Sequence, residues 1–167
     1  MVSPCVTHDP SVEYDAMPPH LNREEGGGMS NLEIVFEQEG GTAAQLVRDR
    51  LDLFNVGVTG VSTYYPVNFF LKSGRGETVG GLLGGIWGDW LHITYLWIDE
   101  ACRGQDWGTR LMDQAEAYAR EKGAHSATLD THSFQARPFY ERRGYEVFGA
   151  LDDYPKGHKK FFLMKRL

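Results

Sequence analysis

The sequence predicts a mixed α/β fold with a mostly antiparallel sheet of six to seven strands and helices on both faces. Three observations carry this expectation. Strand-like apolar runs separated by tight-turn residues follow one another through residues 67–98, as consecutive antiparallel strands do. Two stretches, residues 43–54 and 107–122, repeat their apolar residues at helical spacing. A short apolar run at residues 127–130 then follows the second of these, and a strand reached through a helix is placed to run parallel to the strand before it.

In chain order, residues 1–28 come first and differ from the rest. They carry four prolines, a run of three glycines and no sustained periodicity, so they read as a loosely structured extension or leader ahead of a domain at residues 29–167. Glu24 to Gly28 also requires purine-rich codons just before Met29, so the functional start is expected at Met29. Residues 32–37 read as a first strand. Thr42 is placed to cap a helix over residues 43–54, where Ala43, Leu46, Val47, Leu51 and Phe54 share one face. A loop is expected over residues 55–66.

Residues 67–72 and 78–87 flank Ser73-Gly74-Arg75-Gly76-Glu77, a hairpin signature, and Gly88-Asp89 turns the chain into a third strand at residues 90–98. The helix over residues 107–122 ends at Gly123, a residue suited to the left-handed end position. After the strand at residues 127–130, Pro138 suits the first turn of a short helix starting near Gln135, since its missing N–H is not needed there. Residues 145–151 and 159–165 close the sheet.

Composition narrows the class of function. At 167 residues the chain can bury a core without staples. Its 41% hydrophobic and 13% aromatic content is that of a folded protein. No apolar run approaches the ~20 residues of a membrane span, so no membrane partner is expected. Cys5 and Cys102 have neither metal-ligand nor disulfide-framework spacing, which suits a reducing cytoplasm and implies no metal. The net charge of −6, of which −4 lies in residues 1–28, disfavours nucleic acid and favours a cationic partner. A homodimer stays open.

The chemistry concentrates in two motifs. Arg103-Gly104-Gln105-Asp106-Trp107-Gly108-Thr109 links an apolar strand to a helix. Such a turn aims backbone N–H groups and the positive end of the helix dipole at one spot, which suits a phosphate or pyrophosphate. About 25 residues on, Ser133, Ala136, Tyr140, Gly144 and Tyr145 mark a short helix closed by glycine and followed by a strand. Together they resemble the GNAT superfamily of N-acetyltransferases over about residues 31–167. The family's loop reads Arg/Gln-x-x-Gly-x-Gly/Ala, matched by Arg103, Asp106 and Gly108. Its later pattern reads Asn-x-x-Ala, then tyrosine, glycine and an aromatic, matched by the second set. Asp106 replaces a glycine and Ser133 an asparagine.

The resemblance implies an acetyl-CoA-dependent N-acetyltransferase acting on a primary amine of a small molecule or peptide. A non-catalytic acyl-CoA-binding module of the same fold is the alternative, kept open by Asp106 and Ser133. It implies that the strands at 91–98 and 127–130 splay apart and take the cofactor between them. Backbone N–H groups around Leu96, Trp97 and Ile98 would polarise the thioester, Arg103 through Thr109 would hold the pyrophosphate, and Ser133 and Ala136 would complete the cofactor contacts. Tyr140 would protonate the departing thiolate. His92, eleven residues before Arg103, would take the amine's proton, as imidazole titrates near neutrality; Asp99 and Glu100 are alternatives. Tyr64, Tyr65 and Tyr154 are candidates for the acceptor pocket, and the basic stretch Lys156 to Lys160 reads as a solvated hairpin.

Overall fold

The computed structural model describes residues 32–167. The expected leader at residues 1–28 lies outside them. The described chain falls into two units, one ending at Gly60 and the other running Val61–Leu167.

In the first unit, α1 spans Gly41–Thr59, five residues beyond the expected end. Its start also differs: Gly40 is the N-cap and no side chain caps it, so Thr42 lies inside the first turn. Gly60 closes it in the left-handed region and donates its N–H to Val56 O at 2.8 Å. Residues 32–37 are not a strand. Their apolar residues suit a strand, but a strand exists only when a neighbour takes its N–H and C=O groups, and these residues join no ladder.

The second unit holds a six-stranded sheet: β1 (Tyr65–Lys72), β2 (Thr78–Trp87), β3 (Trp90–Ile98), β4 (Ser126–His132), β5 (Glu146–Asp152) and β6 (Lys159–Arg166). Its order is β1-β2-β3-β4-β6-β5. Every pairing is antiparallel except β3–β4. Both early hairpins follow from their turns. Ser73 Oγ accepts the N–H groups of Arg75 and Glu77. Gly88 and Asp89 both take positive φ, 55° and 63°, the pair of left-handed residues a two-residue hairpin needs.

Between β3 and β4 the chain makes α2 (Trp107–Glu121), and between β4 and β5 it makes α3 (Arg137–Arg142). The buried stripe of α2, Leu111, Met112, Ala115 and Ala119, joins Val67, Leu82, Ile86, Leu91, Ile93, Ala127, Leu129 and Leu163 of the sheet in one core. Tyr140 of α3 and the following Tyr145 belong to it. A set of charges is sealed within this layer. Glu116, 3% exposed, accepts from Lys165 Nζ at 2.7 Å, from Arg143 Nη2 at 3.4 Å and from Tyr145 Oη at 3.3 Å. It thereby ties α2 to β6 and to the segment after α3.

Candidate active site

The site is built on a strand pair that separates part-way. β3 pairs with β4 only from Trp90↔Ser126 to Ile93↔Leu129, although β3 continues to Ile98 and β4 to His132. The cause is local. Opposite Leu83 and Gly84 of β2, Tyr95 and Ile93 are the partners, so Thr94 is an extra residue without a partner. A bulge of this kind bends its strand and increases its twist, and here it falls where the parallel pairing stops. The expected splay between the two strands is therefore present, and its origin is a single inserted residue.

Backbone direction in β3 follows from one bond. Asp99 donates its N–H to Val79 O at 2.9 Å, so Asp99 and Trp97, two residues before, face β2. Alternate residues of a strand direct their backbone groups to opposite edges, which turns Leu96 and Ile98 toward the gap. The Ile98 carbonyl accordingly accepts from Arg103 Nε at 3.0 Å. Of the three expected oxyanion donors, Leu96 and Ile98 carry N–H groups aimed into the opening, whereas that of Trp97 is directed to β2.

The side chains sort by face. Leu91, Ile93, Leu96 and Ile98 pack toward the core with Ala127 and Leu129. His92, Tyr95 and Trp97, together with Asp130 and His132, therefore lie on the face opposite α2. His92 is exposed and stands in register with Gly85. A side chain at Gly85 would collide with the Tyr64 ring, so Tyr64 occupies the space beside His92. Tyr65, by contrast, packs against the core. Asp99, an alternative base, is used as a cap, its Oδ1 accepting the Ala101 N–H at 2.9 Å.

Past β3 the loop reaches α2 through Gly104 and Asp106, at φ 74° and 59°. Asp106 is the N-cap residue in left-handed conformation, and its carboxylate makes no capping bond. Aspartate tolerates that region better than most residues, so the loop keeps its shape without glycine. The first helical bond runs from Arg110 N–H to Asp106 O at 3.0 Å. The N–H groups of Trp107, Gly108 and Thr109 thus have no helical partner. The Gln105 amide reaches back to Ala101 O at 3.5 Å. Arg110 lies over the Trp107 ring at 4.7 Å, which assigns that tryptophan to packing. Phe139 of α3 sits on Gly108, coupling the anion loop to the helix that carries Tyr140.

Tyr140 is 8% exposed, and its pKa is pushed up to about 12, first by burial and then by the charge of Asp130. Asp130 lies on β4 beyond the last β3 pair, where β4 is bonded to β6 alone. Ser133 is taken up by backbone: it accepts the Lys159 N–H on Oγ at 3.1 Å and donates its own N–H to Lys159 O at 2.8 Å. Ala136 is the N-cap residue of α3. Lys160 departs from the solvated hairpin expected for it. It is 8% exposed and pairs with Asp130 at 2.9 Å. No sequence signal links these two residues, because the pairing depends on β6 lying beside β4.

Comparison with known proteins agrees with this fold. Residues 44–145 match the model of the acetyltransferase (GNAT) family. Over 94 residues the chain is 44% identical to the blasticidin-S acetyltransferase of Streptomyces morookaense, spanning 56% of this chain and 69% of that one. An acetyltransferase of Agrobacterium fabrum is 32% identical over 124 residues, 74% of this chain and 90% of its own. Among solved structures, an acetyltransferase from Bacillus cereus superposes with a TM-score of 0.72 at 31% identity, covering 80% of this chain and 98% of that one.

Proposed function

Because the chain belongs to the GNAT family of acetyltransferases, we propose that it binds acetyl-CoA in the gap between β3 and β4 and acetylates the primary amine of a small cationic molecule. The observation that carries this is the end of β3–β4 pairing at Ile93↔Leu129, which leaves an opening with backbone donors on one strand. Acetyl transfer itself rests on the family and on relatives named as acetyltransferases. Asp106 keeps the left-handed turn that glycine would supply, and the relatives are named as acetyltransferases, so the departures at Asp106 and Ser133 do not favour the non-catalytic alternative.

The roles follow from the atoms in reach. The free N–H groups of Trp107, Gly108 and Thr109 hold the pyrophosphate at the start of α2, and Arg103 adds charge beside them. The Leu96 and Ile98 N–H groups steady the thioester oxygen as it gains negative charge. His92, on the acceptor face, takes the ammonium proton so that the lone pair can attack. The amine nitrogen bonds to the acetyl carbon, the carbon–sulfur bond breaks, Tyr140 gives its proton to the leaving sulfur, and the second proton that the nitrogen sheds on becoming an amide restores the phenol.

Blasticidin S is the first acceptor to test, given the relative of that name. Release of CoA thiol from acetyl-CoA is followed with blasticidin S, polyamines, aminoglycosides and peptides, and the product is identified by mass. No thiol release with any amine, although CoA binds, would refute the proposal. The base has its own test. His92→Ala is expected to lower turnover mainly near neutral pH and to recover as pH rises and free amine accumulates, with CoA affinity unchanged. A pH–rate profile identical to wild type moves the role elsewhere.

A further inference from the structure

A group of rings gathers at the C-terminal end of β4 that the acetyl-transfer steps do not use. His132 stacks on Phe134, with centroids 5.2 Å apart and planes 18° apart, and on Tyr154, at 5.8 Å and 14°. Phe134 meets the His158 ring edge-on at 4.8 Å. Lys160 Nζ lies 5.5 Å from the Tyr154 centroid. These residues come from the end of β4 with the loop after it, and from the turn between β5 and β6 with the start of β6. The two are bound together by the reciprocal Ser133–Lys159 bonds. Gln135 fixes the stack at its centre, its Oε1 accepting the His132 N–H at 2.8 Å and lying 3.3 Å from Nδ1.

These rings are open to solvent. Here Phe134 is 57% and Tyr154 50% exposed, while the histidine between them in the network is half-buried. The rings are close to parallel, so their open faces can continue the stack with another flat ring. Position adds a second argument. His132 is the last residue of β4, past the final β3 pairing, and it lies on the same face as His92, opposite α2. A molecule resting on these rings stands beside the stretch of β4 that β3 has left, on the face that carries His92.

We propose that this ring group is the acceptor subsite, and that it selects amines bearing a flat aromatic or heteroaromatic ring. The ring of the acceptor stacks on Phe134 or Tyr154 and its amine arm reaches into the gap. This assignment rests on the acetyl-transfer reading of that gap. Stacking of a flat ring on an aromatic side chain is the same sequence-tolerant contact that proteins use to hold nucleobases, and a saturated ring of similar size cannot reproduce it.

Two amines isolate the effect. Phenethylamine and 2-cyclohexylethylamine share the two-carbon amine arm and differ in whether the ring is flat. Each is titrated by calorimetry into the full chain saturated with CoA, and the histidine ring protons are followed by NMR. Phenethylamine is expected to bind at least about fivefold tighter, the scale of one good aromatic pair, and to shift the His132 ring protons through its ring current. Phe134→Leu and Tyr154→Leu are each expected to shrink that preference with CoA binding unchanged. Equal affinity for the two amines, or no binding of phenethylamine, overturns the proposal, and neither outcome depends on a variant folding. Thiol release with the wider amine panel reads acetyl transfer separately. A chain that acetylates amines without preferring the flat one loses the ring subsite and keeps the acetyltransferase reading.

Discussion

Burial decides what Tyr140 can do as an acid. Desolvation, helped by Asp130, carries its pKa to about 12, so the phenol keeps its proton at every physiological pH. A thiolate expelled into the same poorly solvated gap also becomes more basic, because burial disfavours charge on either group. The two acidities therefore stay closer than their values in water suggest. Tyr140→Phe keeps the ring in the core and removes only the proton. Turnover is expected to fall about 10²-fold or more, the usual scale for a lost general acid, while CoA binding holds; steady-state kinetics and calorimetry check both. Asp106 gives a second prediction at this scale. At φ 59° glycine fits better than aspartate, and a carboxylate next to a pyrophosphate is repulsive. Asp106→Gly is expected to tighten CoA binding with the melting temperature equal or slightly higher. Weaker binding would give the carboxylate a positive role. The left-handed turn was legible from the residue type. The cap of α1 was not, since Thr42 has a capping side chain but the helix begins one residue earlier, at Gly41.

At the scale of elements, the hairpins, the parallel strand and both helices of the second unit could be read from turn residues and apolar spacing. The bulge that opens the site could not. Its trace is a phase change in β3, from core-facing Leu91 and Ile93 to core-facing Leu96 and Ile98. Tyr95 and Trp97 mask that change, because aromatic residues on the outer face look as apolar as the core. The Glu116 network was equally hidden. Glu116 lies one turn after Met112 on the buried stripe of α2, where the sequence alone shows only a misplaced charge. Lys165 and Arg143, which compensate it, arrive from 49 and 27 residues away. Removing Glu116 leaves Lys165 without its carboxylate, while Arg143 keeps Asp113 at 2.6 Å. Glu116→Ala is expected to destabilise the chain by about 3–5 kcal/mol, measured by urea unfolding. A loss below about 1 kcal/mol, the scale of a surface pair, would mean that Lys165 and Arg143 reach water in the variant.

For the whole molecule, the same buried layer sets how stability responds to alkali. Tyr140 is raised to about 12 and Tyr145 is pushed up as well, by burial first and then by the charge of Glu116. Unfolding returns both phenols to a pKa near 10. Below that pH both are protonated in either state, and their contribution is fully present. Between about pH 10 and about pH 12 the native chain holds protons that the unfolded chain has released, so stability must fall as pH rises. For Tyr140 the two-unit difference corresponds to about 2–3 kcal/mol lost across that window. Tyr145 adds to the decline, and the net charge of −6 at neutrality grows more negative in the same range. The two sources separate by mutation. Tyr140→Phe removes its own proton linkage and leaves the overall charge of the native state almost unchanged below about pH 12, where Tyr140 is still protonated. Urea unfolding at steps from about pH 9 to about pH 12 should therefore show a steep fall for the wild type and a shallower one for the phenylalanine form. Parallel curves would place the alkaline sensitivity in Tyr145 and the surface charges, and would mean that the Tyr140 hydroxyl is better solvated in the folded chain than its burial implies.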